Sequence, residues 1–211
     1  AKLKEKAQSM FLREAHLLLK LEHPRIVRVH EHFTEDERHY LLLDYISGQN
    51  IRQIVSLQGA FHQLDVIDYG KQLCDVLHFL HTQDPVILHR DLTPDNLVIG
   101  SDGKLMLIDF GAANELIGTA TGTLVGKQCY ISPEQFRGHP NESSDLYALG
   151  ASLYFMLTGR DPEPLSQSTP SDIERNVSAK LDKLVQSLTA QDHQDRPASA
   201  AEVKDALLAL T

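Results

Sequence analysis

The stretch His89-Arg90-Asp91-Leu92-Thr93-Pro94-Asp95-Asn96-Leu97-Val98-Ile99-Gly100-Ser101-Asp102-Gly103-Lys104-Leu105-Met106-Leu107-Ile108-Asp109 decides how this chain of 211 residues is read. Two short apolar runs, Leu97 to Ile99 and Leu105 to Ile108, flank Gly100-Ser101-Asp102-Gly103. Asp-Gly between such runs is a strong hairpin signal. A hairpin sets the residue before its first strand beside the residue after its second, and paired strands lie about 4.8 Å apart. Asn96 and Asp109 are therefore expected together at the open end. One neutral and one anionic oxygen ligand suit a hard cation such as Mg²⁺. Asp91 lies just upstream, within reach of the same spot.

Working outward, apolar residues at Phe11, Ala15, Leu18 and Leu21 predict an amphipathic helix over Gln8 to Leu21. Pro24 ends it, because the residue before a proline is pushed out of the helical region. Two strands are expected over Ile26 to Phe33 and Tyr40 to Tyr45, around the polar turn Thr34 to Arg38. Ser47-Gly48-Gln49-Asn50 reads as a linker. Helices follow over Asp65 to Thr82, Ser144 to Thr158 and Val177 to Leu188, and a last one opens with the capping box Ser199-Ala200-Ala201-Glu202. The second of these is almost entirely apolar, so it should be buried all round, and Gly159 should stop it. The fold class is α+β. A partial small lobe over 1–43, one helix plus two strands, joins through a hinge or linker at 44–50 to a mainly helical lobe over 51–211.

Composition limits the partners. Apolar residues make up 42% and charged residues 23%, the balance of a globular domain. Lys+Arg 20 against Asp+Glu 29 leaves a net charge of -9, which argues against a basic nucleic-acid footprint. The longest uncharged apolar stretch, Tyr147 to Leu157, is shorter than the roughly 20 residues that span a bilayer. Two cysteines, Cys74 and Cys129, make no disulfide framework and suit a reducing compartment. A cytoplasmic location is expected, with an anchor still open in a longer parent protein. His30 and His32 have no third ligand nearby in sequence and read as a solvated strand face.

The spacing H-R-D-x-x-x-x-N arises by chance about once in a thousand chains of this length, at roughly 5% per residue. His89 to Asn96 resembles the catalytic loop of eukaryotic-type protein kinases, and Asp109-Phe110-Gly111 resembles their magnesium motif. Ser132-Pro133-Glu134 looks like the end of their activation segment, which here runs over 109–134. Ser144-Asp145-Leu146-Tyr147-Ala148-Leu149-Gly150 and Asp195-Arg196-Pro197 extend the likeness toward the end of the chain. Phe11-Leu12-Arg13-Glu14-Ala15 and His23-Pro24-Arg25-Ile26-Val27 extend it toward the start. The Pro-Glu-Gln ending at Gln135 resembles bacterial serine/threonine kinases.

The resemblance implies a serine/threonine kinase domain that moves the γ-phosphate of ATP to a protein hydroxyl in signal transduction. Asp91 would orient that hydroxyl and accept its proton. Asn96 and Asp109 would hold Mg²⁺ against the phosphates. Leu43 would be the gatekeeper, with the backbone of Asp44 and Ile46 reading adenine and Val98 packed beneath it. Arg196 would pair with Glu134, Asp145 would be structural, and His89 and Phe110 would belong to the internal spine, with Gly111 loosening the chain. A phosphothreonine at Thr119, Thr121 or Thr123 would bond Arg90 and order the segment. The alternatives are a pseudokinase scaffold and a small-molecule kinase. Intact Asp91, Asn96 and Asp109 argue against the first, and Ser132-Pro133-Glu134 with Arg196 argues against the second.

The chain also departs from the family. No glycine-rich loop or strand lysine is present, and counting back 16 to 20 residues from Glu14 runs off the chain. It is thus expected to be a fragment lacking the first three strands, with weakened nucleotide binding. Thr93 stands where serine/threonine members usually carry lysine, and Lys127 where they usually carry threonine. The expectation is an exchange: Lys127 supplies the cation beside Asp91, and Thr93 supplies the hydroxyl.

Overall fold

A computed structural model describes residues 18–36, 38–109 and 127–210. In chain order the strands are β1 (Val29–Glu35), β2 (Arg38–Leu43), β3 (Gly48–Asn50), β4 (Leu97–Gly100) and β5 (Leu105–Leu107). The helices are α1 (Ile51–Gln58), α2 (Gln63–His81), α3 (Pro133–Phe136), α4 (Glu142–Thr158), α5 (Ala179–Leu188) and α6 (Ala200–Leu208).

β4 and β5 pair antiparallel with Leu97 opposite Leu107 and Ile99 opposite Leu105. Gly103 takes φ +77°, the left-handed conformation that glycine adopts without steric cost, and it closes the turn. β3 lies on the other side of β4, so the order is β3-β4-β5. That approach is close: a Cβ on Gly48 would stand 2.1 Å from the Ile99 carbonyl oxygen. β1 and β2 form a separate antiparallel hairpin. It meets the larger body where the Val27 N–H donates to Leu107 O (2.9 Å) and the Leu107 N–H donates to Arg25 O (2.8 Å).

The body is built around α4. Nearly every residue from Ser144 to Leu157 is buried, so the helix is apolar all round because it is surrounded. Asn141 caps its start, and Gly159 ends it in the left-handed conformation at φ +69°. α2 and α5 pack against α4, and α6 packs against α2. A Lys204–Asp75 ion pair at 2.6 Å also joins α6 to α2.

Several boundaries differ from the sequence reading. The strand expected from Ile26 begins at Val29, because Ile26 makes an isolated bridge to Leu107 instead. The second strand starts earlier, at Arg38, and ends at Leu43. Residues 48–50, expected as linker, form β3, because β4 offers a second hydrogen-bonding edge. α1 was not foreseen. Its start is set by a capping box in which Asn50 and Gln53 satisfy each other's backbone N–H groups. The last helix is capped by Ser199 as expected, but Glu202 bonds the Ala198 N–H rather than that of Ser199. The helix expected over 8–21 lies mostly outside the described residues.

Candidate active site

The 89–96 loop, the candidate catalytic loop, has little regular structure of its own and is held by side chains from the body. Asp145, fully buried near the start of α4, accepts the backbone N–H of His89 at 2.9 Å and of Arg90 at 2.8 Å. His81 Nε2 lies 2.9 Å from the same carboxylate. These bonds hold Arg90 at φ +65°, a left-handed conformation that costs a non-glycine residue roughly 1–2 kcal/mol. From α3, the Gln135 side chain donates to Arg90 O at 2.8 Å. Farther along, Ser152 of α4 donates to Leu92 O at 3.1 Å.

Within this frame Asp91, Thr93 and Asn96 are all buried. Asn96 Nδ2 donates to Asp91 O at 2.8 Å and to Asp91 Oδ2 at 2.9 Å. Those bonds fix the Asp91 carboxylate and leave Oδ1 as the atom that Asn96 offers. The Ile108 N–H donates to Asn96 O at 3.0 Å, which places exposed Asp109 at the open end of the hairpin beside Asn96. An amide oxygen and a carboxylate are the ligand types that suit a hard divalent cation. His89 Nδ1 accepts the Asp91 N–H at 3.3 Å. Burial pushes the His89 pKa below its ordinary value, against the pull of Asp145, Asp91 and the Asp109 backbone. The Thr93 hydroxyl is buried and has no hydrogen-bond partner among the described residues.

Leu43 and Asp44 are exposed where β2 ends, Ile46 is half-buried and Val98 is buried in β4. The Asp44 N–H donates to Arg28 O, and its carboxylate meets His30 Nε2 at 2.6 Å. Glu134 in α3 meets Arg196 in a two-pronged pair at 2.7 and 3.0 Å. Ser144 donates to the same carboxylate at 2.7 Å. Burial opposes ionisation of Glu134, but the bonds from Arg196 and Ser144 outweigh it and hold the carboxyl down at about 2. Glu14, Phe110, Gly111, Thr119, Thr121, Thr123 and the side chain of Lys127 lie outside the described residues. Among the described residues no group of three or more His, Cys, Asp and Glu is placed to hold a metal ion. No described helix is long and apolar enough to cross a membrane.

One constellation escaped the sequence reading. Arg52 at the start of α1 bonds Asp95 of the 89–96 loop and Asp161 beyond α4, and Tyr130 shares Asp161. Burial works against the guanidinium charge, but these carboxylates prevail and raise its pKa. Burial and Asp161 likewise raise Tyr130. No motif spacing links the four residues, so only the fold brings them together.

A carboxylate and an amide in a buttressed loop, a second carboxylate at the hairpin mouth and a buried Glu134–Arg196 pair, on an α+β frame, describe the protein-kinase-like class. The comparison with known families carries the step from class to family. Residues 1–208 match the protein kinase domain, and this chain belongs to that family. It is 32% identical over 219 residues to Serine/threonine-protein kinase B of Synechocystis sp., covering 95% of this chain and 38% of that protein. Its fold is similar to the crystal structure of the Mycobacterium tuberculosis PknI kinase domain, with a TM-score of 0.82 and 26% identity, over 98% of this chain and 80% of that one. It is also similar to Rad53 1-466 in complex with AMP-PNP, with a TM-score of 0.75 and 27% identity, over 93% of this chain and 53% of that one. The chain spans about a third of the length of the curated relatives it matches.

Proposed function

We propose that this chain is the catalytic domain of a serine/threonine protein kinase, which transfers the γ-phosphoryl group of ATP to a protein hydroxyl in the cytoplasm. The observation that supports the reading most directly is the paired hydrogen bond from Asn96 to Asp91, which holds that carboxylate against the Asn96 amide. Asp91 orients the attacking hydroxyl and takes its proton. Asn96 and Asp109 are the residues that would hold Mg²⁺. When bound, the cation neutralises charge that gathers on the phosphates.

The backbone of Asp44 and Ile46, with Leu43 and Val98, frames the adenine, and Glu14 stands where the family's helix glutamate meets a strand lysine that is missing from this chain. Arg90 receives a phosphothreonine from Thr119, Thr121 or Thr123. Lys127 supplies the cation beside Asp91 that most serine/threonine members take from the loop position held here by Thr93. The overall acidity, with a net charge of -9, supports a protein substrate over a nucleic acid.

The test is transfer of labelled γ-phosphate from MgATP to serine and threonine peptides by the full-length protein. Incorporation that Asp91→Asn removes is expected. Undiminished incorporation in that variant overturns the assignment.

A further inference from the structure

One guanidinium ties the substrate side of the site together. Arg52 donates from Nε to Asp95 at 2.8 Å and from Nη1 and Nη2 to both oxygens of Asp161 at 3.1 and 2.9 Å. Asp161 also accepts the Tyr130 hydroxyl at 2.6 Å, and Arg52 Nη2 lies 3.4 Å from that hydroxyl. Phe155 of α4 lies under the guanidinium, 4.7 Å from ring centroid to Cζ. The Arg52 backbone N–H donates to Pro94 O at 3.4 Å. A single side chain therefore joins α1, the loop that carries Asp91, and the turn over Lys127–Tyr130 that leads into Ser132-Pro133-Glu134.

The chemistry of the donor matters. A guanidinium presents its N–H groups in one rigid plane, so a two-pronged pair fixes direction as well as distance. Asp161 is held on that plane and holds Tyr130 in turn, while Nε holds Asp95. The relative position of the turn and the catalytic loop is thus set by one planar group over an aromatic ring. A lysine could supply the charge, but its single ammonium cannot span both carboxylates in this geometry.

Resting on the kinase reading above, we infer that Arg52 is a positioning residue for the protein substrate. It holds the 127–130 turn against the catalytic loop, so that a hydroxyl docked on the turn is presented to Asp91. It acts through Asp95 and Tyr130. Its partners all lie on that side of the loop and none in the 43–46 segment, so nucleotide binding should not depend on it.

Arg52→Gln, Arg52→Lys, Tyr130→Phe and the Gln/Phe double variant of the full-length protein test this. The readouts are kcat, the KM for peptide and for ATP taken separately, and amide hydrogen exchange over 90–96 and 127–132. Arg52→Gln is expected to lower kcat/KM for peptide by roughly 10- to 100-fold, the range for losing hydrogen bonds between charged groups. KM for ATP should stay within about twofold. Exchange should quicken in both segments, lysine should not restore either property, and Tyr130→Phe should add little to Arg52→Gln. Equal loss toward ATP and peptide, or full rescue by lysine, overturns the inference. If the wild-type protein phosphorylates nothing, the kinase reading fails and the exchange arm decides alone. Unchanged exchange over 127–132 in Arg52→Gln then overturns the tie between turn and loop, and faster exchange sustains that tie while the substrate role falls with the kinase reading.

Discussion

Thr93 carries a buried hydroxyl with no hydrogen-bond partner among the described residues, two positions beyond Asp91. A polar group left so costs roughly 1–3 kcal/mol, which a fold retains where the group serves something else. Valine keeps the shape and β-branching without the hydroxyl. Thr93→Val should therefore raise Tm, by roughly 2–4 °C for each kcal/mol recovered, while turnover falls. Calorimetry beside a kinase assay reads both, and a lowered Tm would show the hydroxyl to be satisfied. The proposed exchange makes a sharper demand: Lys127→Thr and Thr93→Lys should each cost about 10- to 100-fold in rate, and the pair should recover much of it. Wild-type turnover in Lys127→Thr alone would end that idea. The cysteines should be quiet. Burial, then Asp75, pushes the Cys74 thiol up to about 12, and burial, then Asp161 and Glu163, raises Cys129. Alkylation at pH 8 should thus leave Cys74 unlabelled until the protein unfolds, and labelling of the native state would contradict this. At this scale the residues legible from spacing alone were those close in sequence, and the Glu134–Arg196 pair, 62 positions apart, was reached only through the family resemblance. Asp91 and Asn96 lie five positions apart in a loop whose pattern is specific, whereas Arg52 and Asp161 are 109 positions apart. Such a pair leaves no periodic trace.

The Glu134–Arg196 pair joins α3 to the chain entering α6, and its strength should show in pH. The folded carboxyl sits near 2 against an ordinary 4.5, so its contribution is complete above 4.5 and is lost as pH falls toward 2. The difference is worth roughly 3 kcal/mol. Denaturant melts should therefore show wild-type stability falling more steeply than that of Glu134→Gln across this window. Parallel curves would mean that the pair contributes nothing through ionisation. Helix packing gives a second test. A Cβ on Gly150 would stand 2.6 Å from Leu188 Cβ and 3.0 Å from Thr189 Cγ2, where α4 meets α5. Alanine gains up to about 1 kcal/mol in helix propensity, but overpacking at a backbone-anchored atom costs roughly 1–3 kcal/mol. Gly150→Ala should lower stability despite the better helix former, and a raised Tm would show that α5 yields. α2, α4 and α5 were legible because their length lets apolar periodicity accumulate. α1, with eight residues, carried the apolar spacing of Ile51, Ile54 and Val55 and the Asn50–Gln53 capping pair, but it spans barely two turns and its polar start read as a linker. β3 has three residues and no pattern at all, since its place comes from the edge of β4.

The whole molecule divides its stability unevenly. α4 is enclosed by apolar side chains, whereas within β1 and β2 only Val29 is buried, and Phe33, Tyr40, Leu42 and Leu43 are exposed. Phe33 and Tyr40 stack on each other, with centroids 5.1 Å apart, rather than on the body. The α+β class and the large helical body were readable because burying a long apolar helix requires partners on every side. How firmly the first hairpin is held was not, because its strands alternate too weakly to name a buried face. Two backbone bonds between residues 25–27 and Leu107 are what tie its base to β5. Opening it exposes little apolar surface, whereas opening α4 dismantles the core and requires global unfolding. Amides of β1 and β2 should therefore exchange at least about 100-fold faster than those of Leu146 to Leu157, a gap of roughly 2.7 kcal/mol in opening free energy. Such a hairpin can open while Asp91, Asn96 and the Glu134–Arg196 pair stay fixed on the body. Val29→Ala should widen the gap, since it removes the main apolar anchor of the hairpin and leaves α4 untouched. Native-state hydrogen exchange with peptide-level resolution measures both quantities. Equal protection of β1, β2 and α4 would mean that the hairpin and the body open as one unit, and the division argued from burial would be wrong.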